Sequence, residues 1–333
     1  MPYVFASQVP EMAQLLPGRA STDLGLSCPS HCPTASVSLM RGAIADVRPS
    51  PIAGRWYPRE PGRLAQSVDA YLDSARGGDL GGIVVAVVAP HAGHAYSGPV
   101  AGHAFAAVRG SAPDLVAVVG PMHDFHPDML LGSGHQAYGT PLGTVMVDQA
   151  ARRDLDARLE AEIGRRLTLV RDDTEHSIEI ELPFLQRALR SEFQLLPVMV
   201  RGWRPEVVRG LGRALAAVLR DRAGLLVAST DLSHYCTQEV AERLDAEMLR
   251  RVEALDPDGV LRAEDEGSGC ACGAGALAAV LWAARDLAAD HVRILCHATS
   301  GDVTGEREEV VGYGAAVMLR RAGAAGGQRG EIR

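Results

Sequence analysis

The stretch VVAVVAPHAGHAYSGPVAGHAF, residues 84–105, changes character halfway along. Its first six residues are apolar, as a strand buried on both faces requires. Ala89-Pro90 ends the run, because proline has no N–H to give to a ladder. His91, His94 and Tyr96 follow, and the small residues from Ser97 to Ala104 read as a closely packed helix. A buried strand that runs through a histidine loop into a helix is the opening of an α/β unit.

The same alternation continues outward. Apolar, β-rich runs occur at Ile83–Ala89, Leu115–Val119, Thr144–Val147, Phe193–Val200, Leu225–Ser229, Val292–Cys296 and Val310–Leu319. Helix-like segments separate most of them. Leu64, Val68, Tyr71 and Leu72 share one helical face, as do Val208, Leu211, Leu215 and Leu219 behind Pro205, which suits a first helical turn. Ile178, Leu182, Leu185 and Leu189 predict a third helix, disturbed by Pro183. No internal repeat or linker interrupts residues 50–320, so one α/β domain is expected there.

The ends differ. Residues 1–49 are rich in Ser, Pro and Gly without a sustained period and read as a flexible extension, and residues 321–333 as a disordered tail. Cys28, His31 and Cys32 lie in the extension without the further ligands that structural zinc requires. The N-terminal MPYVFASQVPEMAQLL lacks the basic start and sustained apolar core of a signal peptide, and no apolar run approaches the length of a membrane span. A cytoplasmic location is the expectation. The chain has 333 residues, 47% of them apolar and 22% charged, with a formal charge of −8, which argues against nucleic acid as a partner. Six cysteines in this length are too few for a disulfide scaffold.

Three of the apolar runs end alike. Ile83–Ala89 leads to His91, Leu115–Val119 to His123 and Asp124, and Leu225–Ser229 to Asp231 and His234. Ligands of open α/β sheets bind beyond the carboxyl ends of the strands, so neighbouring strands would gather these histidines in one crevice. Cys272, in GSGCACGAGAL (267–277), precedes a helix whose dipole would favour a thiolate, and Cys270 offers a second thiol. Two chemistries fit. Cys272, a histidine and Asp231 could form a nucleophile, base and orienter. Alternatively, two histidines and one anionic side chain would suit iron or another redox metal, with His234 as acid/base. Glu175 and His176, in RDDTEHSIEIELPFLQ (171–186), are candidates for a supporting relay. No Walker loop, dinucleotide fingerprint or HExxH accompanies them.

The motifs AGRWYP (53–58), APHAG (89–93), GPMHD (120–124), EHSIEIELPFLQ (175–186), STDLSHY (229–235), CGAGAL (272–277), TSGDVTG (299–305) and VVGYGAAV (310–317) together resemble the Memo family. That family includes the bacterial and archaeal members grouped as AmmeMemoRadiSam system protein B. The resemblance implies a single α/β domain with a central mixed sheet flanked by helices, similar to class III extradiol dioxygenases. It also implies that His91, His123 and Cys272 bind metal, Fe(II) or alternatively copper. His234 is implied as the catalytic acid/base, with Asp231 and His176 as polar supports.

A small-molecule substrate and O2 would then meet in a pocket flanked by Tyr96, Asp124 and Glu175, and a radical-SAM protein is a candidate partner. Two departures stand out. Those dioxygenases use a carboxylate where Cys272 stands, a change toward softer metals that argues against ring cleavage. Met122 and Asp124 replace the small hydroxyl residue and the ring of the pattern G-P-[ST]-H-[HY]. Two other classes are also carried from the sequence: a non-catalytic protein binding a peptide or phosphorylated ligand in the old pocket, and a Cys-nucleophile hydrolase.

Overall fold

The computed structural model describes residues 46–75 and 78–321. In chain order its strands are β1 (Val47–Arg48), β2 (Gly82–Ala89), β3 (Leu115–Pro121), β4 (Leu130–Ser133), β5 (Ala137–Thr140), β6 (Gly143–Met146), β7 (Thr168–Val170), β8 (Gln194–Val200), β9 (Gly224–Ser229), β10 (His234–Cys236), β11 (His291–Thr299) and β12 (Val310–Arg321). The helices are α1 (Pro61–Ser74), α2 (His94–Ala106), α3 (Gln149–Ile163), α4 (Leu182–Ala188), α5 (Pro205–Leu219), α6 (Gln238–Glu253), α7 (Pro257–Glu266), α8 (Ala274–Asp286) and α9 (Ser300–Thr304).

Nine strands form the main sheet in the order β10-β12-β2-β9-β3-β8-β4-β7, with β11 also paired to β12. Its centre, β2-β9-β3-β8, is parallel, while β12 and β4 join antiparallel at either side, so the sheet is mixed as expected. Alternate residues of each central strand face opposite apolar layers. Leu115, Ala117 and Val119 of β3 pack on one side with α3, α5, α6, α7 and α8, and Val116 and Val118 pack on the other with α1, α2 and α4. Two covered faces explain why the central strands read as continuous apolar runs.

Several details depart from the sequence reading. The expected strand at Thr144–Val147 is β6, in a separate three-stranded sheet with β1 and β5, and only Val147 bridges to Leu195 of β8. The expected helix through Ile178–Leu189 is a 3₁₀ turn (Glu179–Glu181) followed by α4, with Pro183 in its first turn, where a missing N–H costs nothing. The ordered domain also begins earlier than residue 50. Val47 and Arg48 pair with Ala137 and Tyr138, and Asp46 forms ion pairs with His135 and Arg171. The rest of the expected extension, the Cys28–Cys32 cluster and residues 322–333 lie outside the described residues. Among the described residues, no helix is long and apolar enough to cross a membrane.

Close packing of α1 on α2 rests on two glycines. A Cβ on Gly102 would lie 2.5 Å from the Tyr71 carbonyl oxygen, and one on Gly98 would meet the Tyr71 ring. Gly102→Ala is therefore expected to lower unfolding stability by about 1–3 kcal/mol, the usual cost of overpacking, although alanine is the better helix former. Denaturant unfolding checks this, and an unchanged midpoint would refute the tight contact.

Candidate metal centre

The parallel register makes the site. Ala89 of β2 pairs with Ser229 of β9, and Val119 of β3 pairs with Ala228 of β9, so the three strands end side by side. Two residues beyond these ends, His91 and Asp231 face each other: the His91 and Ala92 N–H groups donate to Asp231 Oδ1 at 2.7 and 3.3 Å. The loop after β9 meets the approach to α8. Gly273 N–H donates to Thr230 Oγ1 (2.9 Å) and Cys272 N–H to the Asp231 carbonyl (3.2 Å). Gly273 is required there, because a Cβ would press on Thr230 at 2.9 Å.

His91, His123 and Cys272 thus come together, with one nitrogen or sulfur from each within 4.8 Å of the others. Cys272 Sγ is 3.1 Å from His91 Nε2. The other ring nitrogen of each histidine is already engaged. His91 Nδ1 lies 3.0 Å from Ser229 Oγ, and His123 Nδ1 lies 3.0 and 3.1 Å from the two oxygens of Glu175. Metal-binding histidines are oriented in this way, by a hydrogen bond at the nitrogen that does not ligate.

Glu175 is buried and accepts three backbone N–H bonds, from His123 (2.6 Å), His176 (2.8 Å) and Ser177 (2.8 Å). Burial alone would raise its carboxyl, but the bonds from His123 outweigh it and hold the group well below the ordinary carboxylate range. With its oxygens committed in this way, Glu175 serves as a support for His123 and is a poor lining for a substrate pocket. The same commitment disqualifies the grouping of His123, Glu175 and His176 as a second cation site.

His176 is sandwiched between His123 and Trp56, at ring-centroid distances of 4.6 and 4.1 Å. Burial lowers it to about 4, so it is neutral at pH 7. His234 points Nδ1 at the Leu232 carbonyl (2.8 Å), which assigns the proton to Nδ1 and the lone pair to Nε2. Burial also lowers His234, and the charge of His123 acts in the same direction. Asp124 is exposed beside His123 and accepts from Thr174 Oγ1 (3.1 Å), while Tyr96 is exposed on the first turn of α2.

Three expectations change. Asp231 binds the backbone of His91 rather than its ring, so Cys272, His91 and Asp231 do not form a nucleophile, base and orienter. Cys272 precedes the helix, but burial, reinforced by Asp231, pushes its thiol well above the usual range instead of favouring thiolate. Met122 is buried in the apolar layer and Cys270 turns toward Glu264 (3.9 Å), so neither adds a sulfur to the site. His94 is a core residue bonded to the Ile180 carbonyl.

Sequence reasoning missed the brace behind the site. Arg48, 1% exposed, pairs with Asp173 and Glu179, both at 2.7 Å, and donates to the Glu175 carbonyl at 2.6 Å. Tyr57 and Ser50 also donate to Glu179. An arginine alone in an irregular stretch carries no periodic signal, and only the fold reveals its partners. Arg48→Met leaves two buried carboxylates without their cation and should cost about 3–5 kcal/mol. Urea unfolding measures the loss, and a variant as stable as the parent would contradict the buried network.

Asp231 provides a pH test. Burial raises its carboxyl to about 7 from an ordinary value of 3.8. Between these values the unfolded chain is ionised while the folded one holds its proton, so the group costs stability as pH rises from about 4 to about 7. Asp231→Asn keeps the acceptor for His91 and Ala92 but removes this titration. Its stability relative to the parent should climb across that window, and parallel curves would contradict the buried neutral acid.

Residues 48–317 match the family described as Memo-like protein. A MEMO1 family protein of Methanopyrus kandleri is 33% identical over 285 residues, spanning 81% of this chain and 98% of its own length. Relatives with the same family name from Methanothermobacter thermautotrophicus and Thermotoga maritima are each 34% identical, over 286 and 281 residues, covering 80% of this chain and 98% of theirs. These matches span the strand ends, the loop carrying Glu175 and the turn carrying Cys272, and the chain belongs to the Memo family.

Proposed function

We propose that this protein is a metal-dependent redox protein or oxygenase acting on a small molecule, with His91, His123 and Cys272 as the ligands of Fe(II) or copper. The observation that carries the reading is the donor set itself: two imidazoles, each tied at Nδ1, converging with a thiol. One thiolate among imidazoles fits a redox-active or soft cation better than Mg²⁺ or Ca²⁺. When bound, such an ion would supply electron transfer and a place for O2.

The protein's own residues account for the rest. Ser229 and Glu175 hold the two imidazole rings, and His176, stacked on His123 with Trp56 behind it, covers one side of the His123 ring. His234, neutral with its lone pair on Nε2, is the group to accept a proton from a bound substrate and return it to the product. Metal uptake must displace the Cys272 proton, which is strongly held in the protein without metal. Affinity should therefore rise by about tenfold or more per unit of pH between pH 6 and 8.

A second reading is favoured by the exposed aromatic rings next to site residues. Phe125, close after His123, is 83% exposed, and Tyr235, beside His234, is 67% exposed. Tyr235 also adopts φ 54°, uncommon for an aromatic residue, at a register shift between β10 and β12. A protein using the crevice to bind a partner without chemistry would display such rings. The hydrolase reading loses its support with Asp231 turned away from the His91 ring.

Elemental analysis of anaerobically purified protein separates the first two. The parent should carry close to one iron or copper per chain, and Cys272→Ser and His123→Ala should lose it together with any oxygen consumption. A parent that stays metal-free after incubation with Fe(II) or Cu(I) would sink the redox reading. Partner binding that survives His123→Ala would support the second.

A further inference from the structure

Glu181 is a buried carboxylate near the site that the mechanism does not use. It lies in the 3₁₀ turn, 1% exposed, with Oε1 2.8 Å from Ser229 Oγ and Oε2 buried without a hydrogen-bond partner. Arg48 serves Glu179, two residues earlier. Unlike Glu179, Glu181 has no cation beside it among the described residues, and the charge it does feel is that of Asp231.

The hydrogen atoms around Ser229 can be counted. Its hydroxyl has one proton and accepts through two lone pairs. Three groups surround it: the Ser177 carbonyl at 2.6 Å, Glu181 Oε1 at 2.8 Å and His91 Nδ1 at 3.0 Å. The carbonyl can only accept, and it is the nearest, so the Ser229 proton belongs to it. The other two contacts are then hydrogen bonds only if both partners donate. An ionised Glu181 would instead place a second acceptor against the same single proton and leave a charged oxygen buried and unpartnered, which is strongly disfavoured.

We propose that Glu181 is a positioning residue that works as a neutral acid, donating to Ser229 and so compelling His91 to carry its proton on Nδ1 and to present Nε2 to the metal. The stretch EHSIEIE then orients both histidines by opposite means. Glu175 is ionised and accepts from His123, whereas Glu181 is protonated and acts on His91 through a hydroxyl. Glu179, held by Arg48, anchors the turn between them. The neighbouring Cys272 thiol fits the same pattern, since at 3.1 Å it can donate to the Nε2 lone pair that this tautomer exposes.

The inference rests on the metal-site reading for its consequence but not for its test. In the metal-free protein at pH 7, the infrared carbonyl stretch of a protonated carboxylic acid should be present and should lose the Glu181 contribution in Glu181→Gln. The nitrogen chemical shifts of the His91 ring should report Nδ1–H in the parent and in Glu181→Gln, whose amide can still donate to Ser229. In Ser229→Ala and Glu181→Ala they should move toward a tautomer mixture. Fe(II) affinity under anaerobic conditions should stay within about threefold of the parent in Glu181→Gln and fall about 10–100-fold in Ser229→Ala, the range for losing an outer-shell partner. No Glu181-dependent acid band, or a Glu181→Gln protein as impaired as Glu181→Ala, would overturn the proposal. If the parent binds no Fe(II), the infrared and nitrogen measurements still decide it, and only the metal reading fails.

Discussion

In-register parallel pairing of β2, β9 and β3 is the constraint on which the rest of the molecule depends. It brings Ala89, Ser229 and Val119 to one edge, although they lie far apart along the chain. Each strand then needs only a short loop to deliver a side chain to the same place. His91 arrives two residues after β2, His123 two after β3, and Asp231 two after β9. A register shift of one residue would turn these side chains to the opposite face of the sheet and bury the wrong set. Two apolar layers resist that shift, because each central strand is read on both faces.

Rigid strand ends do not suffice to aim imidazole rings, and that task falls to buried carboxylates. Glu175, Glu179, Asp231 and Glu181 lie close to the site, and their environments divide them. Glu175, with imidazole and backbone donors, is held well below the ordinary carboxylate range, and Glu179 pairs with Arg48. Among the described residues Asp231 and Glu181 have no arginine or lysine partner, and burial raises both. The division is physical economy, since a second pair of charges in the same small volume would repel the first and lack counterions.

Much of this was legible in the sequence because it is local or periodic. The central strands announced themselves as continuous apolar runs, and the histidines stood out because three runs ended in the same manner. Ordered motifs then singled out Cys272. What stayed hidden depends on distant partners. Arg48 lies in a strand of two residues, too short for a period, and meets Asp173 and Glu179 more than a hundred residues later. Ser229 looked like the last residue of a strand, and Glu181 like one more acid in a run of them. The dipole argument at Cys272 erred in magnitude: a helix terminus is worth at most about 2 kcal/mol, which is small beside the cost of burying an unpaired thiolate.

That last balance suggests how the site would remain quiet when empty. A thiol that holds its proton, beside a His91 ring that resists protonation, is a poor nucleophile, so stray alkylation is suppressed. Held by these residues, a divalent cation would stabilise the thiolate and use the Nε2 lone pairs, while the hydrogen bonds at Nδ1 stayed in place. The arrangement behind the ligands need not move for this to happen, since Glu175 and Ser229 already hold the rings at Nδ1. Preorganisation of this kind places the cost of ordering in the folding of the domain, where the Arg48 brace and the two apolar layers can bear it, and would leave a binding step only the exchange of protons for a metal.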